Sequence, residues 1–227
     1  DVRPGTLFLV VGPSGAGKDT LLDGAREELG ADGSFVFARR TITRPADAGG
    51  EAHEEITRES FAARKDSDGF YISWTAHGLD YGLPKRITAD LAEGRNVIAN
   101  VSRTIPALLA GRAQVVVIEI TVPPEVLAGR LSARGREDAD DIGQRLARQG
   151  ADYPRDMPVL RVINDATPDI GIARLIEILK GVEEFSVDLE TTSTNPIQAQ
   201  IVGIAFSTTP HEGYYLPIMY SALGSPD

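Results

Sequence analysis

The nonapeptide Gly12-Pro-Ser-Gly-Ala-Gly-Lys-Asp-Thr20 sets three glycines, a lysine, a carboxylate and two hydroxyls within one short run. Glycines let successive backbone N–H groups turn inward around phosphate oxygens. Lys18 at this spacing reaches the β- and γ-phosphates of a nucleotide and follows charge as it moves to the leaving oxygen. The run matches a P-loop motif, with one departure: Asp19 stands where Ser or Thr ordinarily coordinates Mg²⁺. Two readings stay open for that ion. Either Thr20 supplies the hydroxyl, or Asp19 holds the metal through water. Gly12, Pro13, Ser14, Gly15, Ala16, Gly17, Lys18, Asp19 and Thr20 are therefore the candidate site for ATP phosphates, with Mg²⁺ as cofactor.

Such a loop works only between a strand and a helix, whose N-terminus adds partial positive charge. Thr6 to Val11 reads as a short buried strand ended by Gly12-Pro13. A helix from Lys18 to about Leu29 follows. Further strands are expected at 35–39, 70–74, 96–100, 115–121 and 160–163. Residues 44–55 read as loop and 77–82 as a turn. Thr57 suits the cap of a short helix, and Pro84 the first turn of another ending near Glu93-Gly94. Helices are also expected at 104–110, from Pro123-Pro124 through Arg134, over about 138–149, and from Pro168 to Leu179. Apolar strands alternating with amphipathic helices imply an α/β fold, a parallel sheet with helices on both faces. Ligands on such sheets sit at the carboxyl ends of the strands.

Several further motifs fall in order. Arg39-Arg-Thr-Ile-Thr-Arg-Pro45, Gly49-Gly-Glu51 and Trp74-Thr-Ala-His-Gly-Leu-Asp-Tyr-Gly82 resemble the acceptor-binding segment of the guanylate-kinase group. Arg130, Arg134-Gly-Arg-Glu137 and Ile142 to Leu146 resemble that group's lid, and Asn164-Asp165 fits it as well. The resemblance implies that Arg134, Arg136 and Arg145 close over the triphosphate, neutralise developing charge and exclude water. Their other reading is a solvated helix face paired with Glu137, Asp138, Asp140 and Asp141. Guanylate kinases have a second arginine after the Thr-Arg pair and an acid beside the tryptophan. Here Pro45, Ala46 and Asp47 follow Arg44, and Ser73 precedes Trp74. Without that acid, guanine's donors would go unpaired in a buried pocket.

The departures match a sister family. GPSGAGKDT, TRPADAGGE, AHGLDYGLP and NVSR together resemble ribose 1,5-bisphosphate phosphokinases over about residues 4–180. The resemblance implies ATP-dependent phosphoryl transfer to ribose 1,5-bisphosphate, giving 5-phosphoribosyl 1-diphosphate and ADP in phosphonate breakdown. A guanylate or other nucleotide kinase, and a silent guanylate-kinase-like binding module, are the alternatives. Bringing two polyanions together calls for Arg, Lys and Mg²⁺ rather than a general base. Arg44 and Arg103, with Arg40 or Lys85 beside them, are candidates for the acceptor phosphates. Tyr81 and Asn100 are candidates for hydrogen bonds to phosphate or ribose. Each has a structural reading too: Tyr81 as a turn anchor, Asn100 as a strand-end partner for backbone, Arg103 as half of a surface ion pair.

Composition narrows the remaining classes. The chain has 227 residues, 42% hydrophobic and 25% charged, with no cysteine. That is a globular balance without disulfides or thiolate metal sites. No apolar run approaches the ~20 residues of a membrane span. A soluble cytoplasmic protein is expected, and the start at Asp1 suits a native N-terminus lying further upstream. Net charge is −10, which argues against nucleic-acid binding. His53, His77 and His211 are too scattered for a zinc site; His53 reads as a solvated loop residue and His77 as a turn residue. Trp74 and Phe70 read as packing residues.

Composition changes after Lys180-Gly181. Residues 182–227 contain six acids and no Lys or Arg. They read as three strands forming a short antiparallel β segment. The run Glu183 to Ser193, then 199–207 and 213–218, resembles the opening of the 3′–5′ exonuclease domain of family A DNA polymerases. Asp188 and Glu190 match its first metal motif; two residues apart on a strand, they lie about 6–7 Å apart on one side. Two acids are too few for a two-metal site, so solvent-facing strand residues are the expectation. The organisation expected is thus a kinase domain at 1–181 (acceptor-binding part about 40–95, lid about 130–150) and a fused or recombined tail at 182–227.

Overall fold

The computed structural model describes residues 3–46, 52–112, 114–133, 153–155, 157–181, 186–191, 201–209 and 212–217. The chain forms two compact units, Asp1–Leu175 and Ile176–Asp227. The first is built on a five-stranded sheet whose strands run β2-β7-β1-β8-β9, all neighbours parallel. These are β1 (Leu7–Val11), β2 (Phe35–Phe37), β7 (Asn96–Asn100), β8 (Val115–Thr121) and β9 (Val159–Ile163). All five residues of β1 are fully buried, as a central strand covered on both faces requires. On one face Leu7, Leu9, Val11, Val97, Ala99, Val115 and Val117 pack with Ile87 and Ile105 from helices and with Leu109. The pleat sends Phe8, Val10, Ile98 and Ile118 to the other. Each such side chain contributes roughly 1.5–3 kcal/mol on burial.

Helix α1 (Lys18–Leu29) buries Leu21, Leu22, Ala25 and Leu29, spaced as an amphipathic stripe. Helix α2 (Arg58–Asp66) is capped as expected, with Thr57 accepting from the Ser60 amide. Helices α3 (Ile87–Ala92), α4 (Ile105–Leu108), α5 (Pro124–Ala133) and α6 (Pro168–Gly181) complete the set. Gly24 on α1 lets α6 approach: a Cβ there would stand 2.3 Å from Ile172 Cδ1.

A second sheet of four strands runs β4-β3-β6-β5. Here the structure corrects the sequence reading. Residues 77–82 are not a turn, because only His77 and Gly78 turn. Both have positive φ, 51° and 74°, and they join β5 (Phe70–Ala76) to β6 (Leu79–Pro84) as a two-residue hairpin. Pro84 therefore ends a strand, and α3 starts three residues later. The expected loop at 44–55 likewise ends in a two-residue strand, β4 (Glu54–Glu55), parallel to β3 (Thr41–Ile42). Two-residue strands carry no periodicity from which to read them. In the second unit β10 (Ser186–Thr191), β11 (Ile201–Thr209) and β12 (Glu212–Pro217) form an antiparallel sheet, as expected. No described helix is long and apolar enough to cross a membrane.

Candidate active site

The strand β1 ends in the P-loop, and helix α1 begins at Lys18. Gly17 caps that helix in the left-handed region, φ 85°, without a side-chain cap hydrogen bond. The first-turn amides are thus not consumed by a capping side chain, the arrangement an anion site needs. Gly17 is required twice over, since a Cβ would also stand 2.7 Å from Asn164 Nδ2. Lys18 Nζ donates to the carbonyls of Gly12 and Pro13, both at 2.9 Å, so the ammonium lies folded against the loop.

Two asparagines brace the loop from neighbouring strand ends. Asn164, just past β9 and 4% exposed, donates from Nδ2 to the Ala16 carbonyl at 2.8 Å. Asn100, the last residue of β7 and 7% exposed, donates from Nδ2 to Asp19 Oδ1 at 3.0 Å. The Asn100 side chain thus engages the loop's own carboxylate, a partner that sequence spacing does not disclose across 81 positions.

A cleft of about 460 Å³ opens over this loop. Gly12, Pro13, Ser14, Gly15, Gly17, Lys18, Asp19 and Thr20 form one wall. Ala16 is fully buried behind it. The other wall carries Arg40, Trp74, His77 and Tyr81 from the four-stranded sheet and its approaches, with Asn100, Ser102 and Arg103 from the end of β7. Tyr81 stacks on Trp74 with ring centroids 5.4 Å apart and planes 8° from parallel, the two being register partners on β5 and β6. The Arg40 guanidinium lies 5.3 Å from the Tyr81 ring centre, a cation–π contact that orients it. Trp74 also packs on the core, so it is both packing residue and cleft lining. Phe70 packs only as expected, stacked on Phe61 at 4.6 Å.

The other predicted residues sit elsewhere. Arg44 is not in the cleft lining. Its Nη2 lies 3.4 Å from His53 Nδ1, while its carbonyl lies 2.9 Å from His53 Nε2. A carbonyl only accepts and a guanidinium only donates, so the neutral tautomer protonated at Nε2 satisfies both. His53 is 2% exposed, not the solvated loop residue expected. Its own carbonyl takes a 2.7 Å bond from Arg39, so it pins the arginine-rich segment. A lone histidine in a polar loop gives no sign of such burial. Lys85 pairs with Asp68 at 2.8 Å on the surface, outside the lining. Arg134, Arg136 and Arg145, the predicted lid arginines, lie outside the described residues. Among the described lid residues, Arg130 reaches the Ala166 carbonyl at 3.4 Å.

Behind Arg103 lies a group that the sequence did not flag. Tyr153 donates to Glu119 Oε1 at 3.0 Å, and Arg161 to Glu119 Oε2 at 3.1 Å. Burial, then the bond and charge of Glu119, push the Tyr153 phenol above its ordinary pKa, while Arg103 and Arg161 oppose the rise. Tyr153 is therefore a neutral donor at physiological pH. In the second unit, Asp188 and Glu190 pair in register with Ala205 and Gly203. Among the described residues there is no group of three or more His, Cys, Asp or Glu placed to hold a metal.

Parallel sheet, P-loop and facing mixed sheet together define a P-loop kinase fold of the guanylate-kinase type. Guanylate kinase from Anaplasma phagocytophilum superposes with a TM-score of 0.57 over 80% of this chain and 87% of that one, at 19% identity. No family model matches the chain. A ribose 1,5-bisphosphate phosphokinase PhnN from Acidiphilium cryptum is 47% identical over 177 residues, 78% of this chain and 93% of that protein. The chain belongs to the ribose 1,5-bisphosphate phosphokinase family. A bifunctional ribose 1,5-bisphosphokinase-thymidine phosphorylase from Cupriavidus necator is 44% identical over 220 residues, 96% of this chain. That match takes in most of the segment after residue 181. The chain spans only 25–36% of the length of such bifunctional relatives.

Proposed function

We propose that this chain transfers the γ-phosphoryl group of ATP to ribose 1,5-bisphosphate, giving 5-phosphoribosyl 1-diphosphate and ADP. The observation that carries the reading is the two-walled cleft. A backbone-built phosphate loop faces a wall bearing Arg40 and Arg103, and family membership supplies the acceptor. A terminal oxygen of the C1 phosphate attacks the γ-phosphorus, a P–O bond forms, and the bond to the β-phosphate oxygen breaks as ADP leaves. The attacking oxygen is already ionised at pH 7. No residue need take a proton from it, which fits a lining that holds, among the described residues, no carboxylate other than Asp19.

Lys18 and the loop amides hold the β- and γ-phosphates and stabilise charge arriving on the leaving oxygen. Arg103 and Arg40 hold acceptor phosphates, and Tyr81 keeps the Arg40 guanidinium oriented. Arg134, Arg136 and Arg145 cover the reacting groups. Asp19 and Thr20 offer oxygen donors suited to a hard cation. Mg²⁺ held there would neutralise charge between β- and γ-phosphate oxygens.

Arg44 serves this reading as a support for the arginine segment through His53. Ser73 beside Trp74 disfavours GMP, since it cannot replace a base-reading carboxylate. A coupled ADP-release assay of the full chain decides: turnover with ribose 1,5-bisphosphate must exceed turnover with GMP. Faster turnover with GMP makes the chain a nucleotide kinase, and no ATP binding by calorimetry makes it a silent module. For residues 183–227 we expect no cleavage of single-stranded DNA, because Asp188 and Glu190 are only two acids.

A further inference from the structure

P-loop enzymes generally hold their Mg²⁺ between a loop Ser or Thr hydroxyl and a carboxylate. Here that division is reversed. The loop position is the acid Asp19, and β7, which lies beside β1 in the sheet, ends in the amide Asn100. Val10 and Asn100 are register partners, so this strand end sits directly against the root of the loop. Asn100 is buried, Asp19 is exposed, and both line the cleft. The amide occupies Asp19 Oδ1 at 3.0 Å. Asp19 Oδ2 has no hydrogen bond or ion pair to any described residue.

We infer that the metal-binding carboxylate of this enzyme has changed sides: Asp19 is the protein's anionic ligand for the divalent cation of the nucleotide, and Asn100 is its positioning residue. The physical reason for the pairing is charge. A carboxylate at both positions would set two negative groups about 3 Å apart and disfavour the ionised form of one. Asn at position 100 keeps a single negative charge and fixes its rotamer with a neutral donor. An outer partner of this kind orients a ligand before the metal arrives. The inference rests on the ATP-binding part of the proposed function and is independent of the acceptor.

The test is calorimetric titration of the full chain with ATP, in EDTA and then in MgCl₂, repeated with Mn²⁺ followed by electron paramagnetic resonance. In the parent chain Mg²⁺ should tighten ATP binding. D19N should cut that tightening about tenfold or more, and N100A about tenfold, read in each variant as the ratio of its ATP affinities with and without Mg²⁺. D19S/N100D, which moves the acid to the strand, should recover most of what D19S loses. The inference is overturned if D19N keeps the parent's Mg²⁺ dependence, or if D19S/N100D binds Mn²⁺·ATP no better than D19S. Asp19 is exposed, so D19N decides the matter even where N100A melts early. Loss of turnover on ribose 1,5-bisphosphate with the metal dependence intact would count against the acceptor alone.

Discussion

The two walls of the cleft are made in different ways. The nucleotide wall is mostly main chain: a loop of glycines and amides, set at the end of a fully buried strand and braced by Asn164 and Asn100 from adjoining strand ends. The facing wall is mostly side chain: Arg40, Trp74 and Tyr81 presented by a small mixed sheet and its approaches, and Arg103 beyond β7. The contrast teaches where chemistry can vary. A phosphate cradle built from backbone depends on geometry and tolerates little change in the chain that forms it. A wall built from side chains can change its ligand by replacing one residue.

The largest effect should come from the lysine of the backbone wall. Lys18→Met should lower kcat about a thousandfold with little change in the KM for ribose 1,5-bisphosphate, a loss of the order seen for a single transition-state donor. Equal activity would mean that the amides alone suffice. Next, Arg103→Ala should raise the KM for ribose 1,5-bisphosphate about 10- to 100-fold, the worth of a charged hydrogen bond. The KM for ATP should stay within about twofold, and steady-state kinetics with each substrate varied would show whether the walls are separable.

Smaller is the expected effect of Asn164→Ala. It strands the Ala16 carbonyl, fully buried behind the loop, at a cost of roughly 1–3 kcal/mol. Denaturant unfolding should report that loss, and the KM for ATP should rise while that for the acceptor does not. The smallest effect is a pH dependence confined to the side-chain wall's sheet. Glu54 is held below the ordinary glutamate pKa first by the Thr41 hydroxyl, 2.7 Å away, and then by Arg64. A depressed carboxyl contributes stability above its unfolded pKa, and that contribution fades as pH falls through its folded value. Glu54→Gln should therefore narrow its stability gap to the parent on acidification below about pH 4.5, within about 1 kcal/mol overall because the pair is largely solvated. Thermal melts at pH 7 and pH 3.5 measure it.

Sequence legibility followed the same division. Gly12 to Thr20 could be read as a phosphate loop because its chemistry is local: glycine spacing, one lysine, a strand before and a helix after. The parallel sheet was legible for a similar reason, since strands buried on both faces are apolar throughout. The acceptor wall was only partly legible. Arg40, Tyr81, Asn100 and Arg103 were read as candidates and line the cleft, but Arg44 was read with them and lies against His53 instead.

What the sequence determined by itself was therefore the loop half: the strand, glycine-rich turn and helix that carry Gly12 to Thr20, the lysine within that run, and that the carboxylate at position 19 departs from the usual hydroxyl. Tertiary structure alone decided the rest. It turned His77-Gly78 into a hairpin that lays Tyr81 on Trp74, buried His53 under two arginines, and set Asn100 against Asp19 from 81 residues away. Those contacts depend on strand register and on which strands become neighbours. Both are settled by packing the whole core, and no short stretch of sequence encodes them.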